Sequence, residues 1–355
     1  MFPARVVAPV LVAALSCACT VAPSQAEVAL PQRVLLVDGE PAVPANAPEL
    51  LAELHRRYAD HDDGAPADYI PELAQVPADL FGIAIVGVDG TVVKIGDCDR
   101  GFTIQSVSKP FVLGLALGDK GREYIVSKVG VEPTGQPFNS MLPSELTRDR
   151  TQNPVVNAGA IATTSFIEGD SPSERFERVE DMFARLAGRP IELDAAVYES
   201  EMATNWRNMS IAWLLKNYGQ LEGEVDDAVE RYTRACSLSV SAESLAVMGA
   251  TLAHGGVNPM TGDAIYEPGQ VRDMLSVMAM AGMYDFSGEW MFRVGLPAKS
   301  GVGGGIVAVV PGRFAVATFA PRLDERGNSI RGQRVIEDLS AAWGLHLMGV
   351  ERPAP

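Results

Sequence analysis

Strand signals in this 355-residue chain lie towards its two ends, and almost everything between them repeats with helical spacing. Residues 81–88 are apolar and β-branched, Asp89-Gly90 supplies a turn, and 91–95 resume the extended pattern, which predicts a hairpin. Strands are expected again at 293–300, 306–310 and 314–319, the last two joined across Pro311-Gly312-Arg313. Helical spacing marks 49–59, 157–166, 172–186, 208–218, 225–236, 242–254 and 270–280, and a last amphipathic helix is expected over 332–346. Strands must pair with other strands, so those at the two ends must find each other. The expected fold is therefore α/β in the α+β sense: one antiparallel sheet built from both chain ends, with a helical lobe inserted. That divides a single domain, 49–350, into a sheet lobe (49–105 and 290–350) and a helical lobe (106–289). A groove between the lobes would have Ser106 at its floor and the Lys299 strand along its edge.

The first 26 residues read differently. Arg5 is their only charge, Val6 begins an apolar run that ends at Ala18, and Ser24-Gln25-Ala26 offers small residues at −3 and −1. This predicts an export signal and a periplasmic or secreted protein; without use of the signal the protein would be cytoplasmic. The run is too short to remain as a membrane-spanning helix, so no membrane is expected for the mature form. Residues 27–48 are Pro-rich and are expected to form an arm. Cleavage would leave Cys98 and Cys236, two independent thiols rather than a disulfide framework. A formal charge of −16 argues against nucleic acid or anionic membrane as partners. The four histidines show no metal-ligand spacing to one another or to a cysteine, so neither a metal nor a cofactor is expected.

Chemistry concentrates at Phe102-Thr103-Ile104-Gln105-Ser106-Val107-Ser108-Lys109-Pro110-Phe111. A helix entered at Ser106 puts Ser106 and Lys109 on one face, one turn apart, with Pro110 tolerated in the first turn. A hydroxyl at a helix start with an amine one turn on is the layout of an acyl-transfer nucleophile and its base. Equally, Ser106 could be a capping residue and Lys109 a solvated charge. Two features favour the catalytic reading. Lys109 lies in apolar sequence, which would desolvate its ammonium and lower its pKa. Far downstream comes Lys299-Ser300-Gly301-Val302, similar to the KTG/KSG strand of penicillin-recognising serine enzymes, whose first motif is also SxxK. The glycines at 301 and 303–305 lack the Lys-Ser/Thr and following helix of a phosphate loop.

Taken together, the segments closely resemble the serine-dependent glutaminases from about Tyr69 to Leu347. The resemblance rests on Asp68-Tyr69-Ile70-Pro71-Glu72-Leu73-Ala74, residues 102–109, Asn153-Pro154-Val155-Val156-Asn157-Ala158-Gly159-Ala160-Ile161, and Ser200-Glu201 with Arg207-Asn208. Tyr232, Gly282-Met283-Tyr284-Asp285-Phe286-Ser287-Gly288 and Gly295-Leu296-Pro297-Ala298-Lys299-Ser300-Gly301-Val302 complete it. It implies a β-lactamase/transpeptidase-like fold, L-glutamine as substrate, and a homodimer or homotetramer. It further implies Ser106 as nucleophile, Lys109 or Tyr284 as base, and the backbone of Ser106 and Val302 as oxyanion donors. Asn157, Glu201, Asn208, Tyr232, Tyr284, Val302 and Tyr69 match glutamine-contacting positions, with Glu201 against the α-ammonium. On residue type alone, Tyr232 and Tyr284 would be core aromatics, Asn157 a helix cap and Glu201 a solvated charge. The irregular run 147–152 and Met209 depart from the family pattern. A β-lactamase or D,D-peptidase shares SxxK and KSG, but the Ser-Asp-Asn element expected between them is absent. A non-catalytic glutamine-binding protein would have lost Ser106 or Lys109, and both are present.

Overall fold

Alternation along three central strands puts two hydrophobic cores on opposite faces of one sheet. In the computed structural model, which describes residues 41–142, 145 and 152–350, eight strands are assigned. They are β1 (Gly82–Gly87), β2 (Val92–Gly96), β3 (Phe102–Thr103), β4 (Glu192–Leu193), β5 (Leu238–Val240), β6 (Ala298–Ser300), β7 (Gly305–Val310) and β8 (Phe314–Phe319). The main sheet runs β2-β1-β8-β7-β6, antiparallel throughout, so both chain ends contribute to it as expected. Ala84, Val86, Val307, Val309, Ala315 and Ala317 face one core, while Ile83, Ile85, Ile306, Ala308, Phe314 and Val316 face the other. β1, β7 and β8 are buried along their whole length, which is why they read as continuous apolar runs.

The helices are α1 (Ala47–Tyr58), α2 (Pro71–Ala74), α3 (Ser108–Lys120), α4 (Arg122–Lys128), α5 (Asn157–Ser165), α6 (Pro172–Ala187) and α7 (Ala195–Thr204). They continue with α8 (Trp206–Asn217), α9 (Val225–Cys236), α10 (Ala242–Ala253), α11 (Pro268–Ala281), α12 (Ser287–Arg293) and α13 (Ile330–Trp343). Helices α1 and α13 cover the outer face of the sheet, with Leu51, Leu54, Val335, Ile336 and Leu339 in its core. Helix α10 lies on the inner face; Gly249 lets it approach, since a Cβ there would lie 2.6 Å from Val307 and 2.7 Å from Ala315. Behind α10, helices α3–α6, α8, α9 and α11 pack into the inserted lobe, whereas Trp290 of α12 joins the outer core and Leu73 of α2 packs with Val197 of α7 and Val302.

Some expectations need correction. The strand placed at 293–300 shrinks to β6, because α12 runs through Arg293 and Gly295 turns the chain at φ +69° before Pro297. Helix α3 begins at Ser108, and Ser106 sits in the 3₁₀ turn Gln105–Val107 ahead of it. The three-stranded sheet β3-β5-β4 and helices α4 and α7 were not foreseen. Of the Pro-rich arm, residues 41–48 pack onto the body: Ala42 and Val43 are buried, and α1 already begins at Ala47. Residues 1–26, the arm's first part at 27–40, and 147–151 lie outside the described residues.

Candidate active site

The turn that presents Ser106 is held in a conformation few side chains adopt. Gln105, between β3 and α3, has φ +50°, a left-handed value costing on the order of 1 kcal/mol for a residue with a side chain. The neighbourhood fixes it: Ile104 N donates to Leu238 O at 2.8 Å, and Ser108 Oγ donates to Gln105 O at 2.7 Å. The Gln105 side chain, itself buried, donates from Nε2 to Glu201 at 2.7 Å.

Lys109 Nζ lies one turn on, 3.0 Å from Ser106 Oγ, and also donates to Asn157 Oδ1 at 2.7 Å. The side chain is 2% exposed, so desolvation, opposed by Cys236 and Glu201, lowers the amine to about 8. The solvated alternative for Lys109 is thereby excluded. Asn157 opens α5, but Val156 is the cap residue and no side chain caps the helix; the Asn157 amide instead donates to Asn208 Oδ1 at 3.0 Å. Glu201, half-buried on α7, is lifted by burial to about 7, with the Gln105 hydrogen bond and Lys109 pulling the other way. It is therefore no ordinary solvated charge.

Ser106, Asn157, Glu201, Asn208, Tyr232, Val302 and Tyr69 line one cavity of about 360 Å³. Tyr232 is buried, whereas Tyr69 is 56% exposed. Tyr284 does not line the cavity: it is buried at φ +58°, and its hydroxyl donates to Ser300 O at 3.0 Å. Burial pushes its phenol well above the ordinary range, with Ser106 among the groups opposing the rise. Val302, just beyond β6, lines the cavity, while the Lys299 side chain on that strand is wholly buried, on the inner face of the sheet. In the turn after β6, Gly301 N donates to Gly305 O and Gly304 N to Gly301 O. Among the described residues the Val302 N–H has no backbone acceptor. Met209 packs against the inner core rather than lining the cavity.

Three participants have no role assigned from the sequence. Gln105 lay within the quoted motif but carried no sign of its backbone angle. Phe138 packs its ring 4.9 Å from that of Tyr284 and 5.9 Å from Lys109 Nζ. Arg207, on the cavity rim, donates to Asn139 O at 2.7 Å and so ties α8 to the loop after Phe138. Among the described residues Cys98 and Cys236 are buried and outside any disulfide, and Cys236 reaches the cavity wall with its thiol raised by burial to about 12. Among the described residues no group of three or more His, Cys, Asp or Glu is placed to hold a metal.

A sheet closed from both chain ends, an inserted helical lobe and a buried SxxK pair beneath a polar cavity define a hydrolase of the β-lactamase-like fold. The glutaminase family model matches residues 64–348, and the chain belongs to the glutaminase family. A glutaminase of Microcystis aeruginosa is 51% identical over 303 residues, covering 85% of this chain and 89% of that protein. Glutaminase 2 of Yersinia pestis is 45% identical over 304 residues, covering 86% and 89%. Among solved structures, a probable glutaminase (ybaS) superimposes with a TM-score of 0.85 at 43% identity, covering 87% of this chain and all of the other (100%). Mglu in its glutamate form gives 0.82 at 40% identity, covering 87% and 72%.

Proposed function

We propose that this glutaminase hydrolyses L-glutamine to L-glutamate and ammonia through an acyl-enzyme on Ser106. The observation that carries the reading is the Ser106–Lys109 pair: a buried amine, lowered to about 8, within 3.0 Å of a buried hydroxyl. Neutral Lys109 takes the Ser106 proton as Oγ attacks the side-chain amide carbon. Backbone N–H groups of Ser106 and Val302 receive the oxyanion. Tyr284 returns a proton to the leaving nitrogen, ammonia departs, and water cleaves the γ-glutamyl ester along the same path. Glu201 takes the α-ammonium, while Asn157, Asn208 and Tyr232 meet the remaining polar groups and Tyr69 covers the mouth. The β-lactamase or D,D-peptidase alternative gains no support from the family match. A glutamine-derived diazo-ketone tests the mechanism by peptide mapping. Label on Ser106 and an inactive Ser106→Ala variant are expected; label on Cys236 with an active Ser106→Ala variant would overturn it.

We also propose export through residues 1–26, supported by the apolar run and the Ser24-Gln25-Ala26 site. A mature N-terminus at Glu27 is the expected result, and intact Met1 in a soluble cytoplasmic fraction would overturn it. A homodimer or homotetramer fits two exposed tryptophans on α8, Trp206 and Trp213, which share a face at seven-residue spacing. Sedimentation velocity of the full chain decides the point, a monomer being the contrary result.

A further inference from the structure

Tyr284, absent from the lining of the substrate cavity, lines a second one of about 410 Å³. Two segments present near neighbours to the two cavities. Gln136 faces the second and Phe138 the first; Val156 faces the second and Asn157 the first. Asn157 N donates to Phe138 O at 2.9 Å, which stitches the segments together. The Phe138 ring lies 4.9 Å from that of Tyr284. The partition between the cavities is thus about one residue thick, and Tyr284 completes it.

The linings differ in charge. Glu201 and Arg207 stand on the substrate cavity, whereas Asp285 is the one charged residue lining the second, among neutral polar groups such as Thr134 and Asn153. A carboxylate without a cation favours ammonia, and ammonium once it takes up a proton, over the anionic glutamate. In the acyl-enzyme the γ-glutamyl group still fills the substrate cavity with its α-groups docked, so the mouth is occupied when ammonia forms. Ammonia held beside the ester would attack it at high effective concentration and regenerate glutamine.

We propose that the second cavity is the exit for ammonia, which leaves beside Tyr284 while the glutamyl group stays on Ser106. This rests on the acyl-enzyme reading above. The C–N bond breaks as the leaving nitrogen receives a proton, so ammonia departs neutral. In reverse, ammonia attacks the ester carbonyl, the C–O bond to Ser106 breaks, and the proton lost by nitrogen returns to Oγ. Gly288 lines the second cavity, and a Cβ there would meet no heavy atom within 4 Å, so Gly288→Trp brings a ring to the exit without displacing a neighbour.

The test follows ammonia backwards. The full chain turns over unlabelled glutamine in ¹⁵N-labelled ammonium chloride, and mass spectrometry counts label entering the amide of the remaining glutamine per glutamate formed. Gly288→Trp should lower this ratio about tenfold, because ammonia can no longer reach the ester by its own route. Its KM for glutamine should stay within about twofold of wild type, since the substrate cavity is untouched. Gly288→Ala, too small to fill the cavity, should match wild type. Thr204→Trp, at an exposed position of the substrate cavity, should leave the ratio unchanged. No label in wild-type glutamine, equal ratios in Gly288→Trp and wild type, or an equal fall in Thr204→Trp would each overturn the inference. Turnover that survives Ser106→Ala would sink the reading on which it rests. Unaltered labelling in Gly288→Trp beside Ser106-dependent turnover sinks this inference alone. Should Gly288→Trp not fold, Gln136→Trp narrows the same cavity from another segment, and the same fall is expected.

Discussion

Gln105 and Glu201 are joined by a 2.7 Å hydrogen bond that ties the turn carrying Ser106 to the carboxylate on the far wall of the cavity. Gln105 thus does two things at once. Its backbone, at φ +50°, aims the following residue into the cavity, and its amide helps keep Glu201 ionised against the burial that raises it.

Gln105→Gly separates those two roles, because glycine accepts the backbone angle and removes only the amide. Loss of a hydrogen bond to a charged group is worth roughly 1.5–3 kcal/mol, so kcat/KM should fall by about one to two decades at neutral pH. Without the amide the Glu201 pKa should rise above about 7, and part of the activity should return at higher pH. Thermal stability should change little. An unchanged kcat/KM at neutral pH would show that the amide does not support the carboxylate.

Lys109 makes opposite demands on activity and stability. The proposed mechanism needs Lys109 neutral and Glu201 ionised, so wild-type kcat/KM should climb with pH through about 7 and about 8. For stability, the folded value is about 8 against an ordinary 10.5, so the unfolded chain binds more protons between those values. Below about 8 both states carry the proton, and the folded state bears the full cost of a buried charge, on the order of 3 kcal/mol. Lys109→Met should therefore be inactive, and its stability relative to wild type should be greatest below pH 8 and decline towards 10.5. Urea denaturation at several pH values checks this; a difference independent of pH would mean that the amine is not desolvated.

How much could be read beforehand depended on the kind of signal. β8 was placed to the residue, and α9 likewise, because each is long and strongly patterned. The desolvation of Lys109 was legible from its apolar neighbours. Strands β3, β4 and β5 span only two or three residues each and exist through tertiary pairing, so no local pattern marks them. Alternation of Phe292, Val294 and Leu296 imitated a strand, but Gly295 and Pro297 break the chain there. The positive φ of Gln105 and Tyr284 has no sequence signature, since neither is a residue type that favours it. Neither does the contact of Lys299 with Tyr284, which depends on the meeting of β6 with the turn before α12. These hidden features lie at the site, where local preference yields to the demands of geometry.

Gly159 limits the packing of the Asn157 turn. A Cβ at this position would lie 1.9 Å from Asn153 O, and Asn153 cannot move aside. Its side chain donates to Glu132 O at 2.9 Å and accepts from Val155 N at 3.2 Å, with the residue fully buried. Gly159→Ala should cost about 3 kcal/mol of stability, the upper range for overpacking. It should also lower kcat/KM through displacement of Asn157, two residues earlier. A variant of wild-type stability and activity would show that this turn can yield.

On the proposed mechanism, Glu201 decides which amides are hydrolysed. A zwitterionic substrate end needs an anion for its ammonium, and Glu201 is the carboxylate on the cavity wall, with Asn157 and Asn208 linked to each other nearby. Glu201→Gln keeps the shape and removes the charge. A charge-assisted hydrogen bond contributes roughly 1.5–3 kcal/mol, which corresponds to about one to two decades in kcat/KM for glutamine. The loss becomes larger if the substrate ammonium is left buried and unpaired. Asparagine should be a poor substrate of the wild type, because its shorter arm cannot bring the amide carbon to Ser106 while the α-groups stay docked. Removing the anchor should hurt glutamine far more than asparagine, so the preference between the two should narrow. Measuring kcat/KM for both amides with wild type and Glu201→Gln tests the argument. An unchanged preference would show that the α-ammonium is held by something other than Glu201.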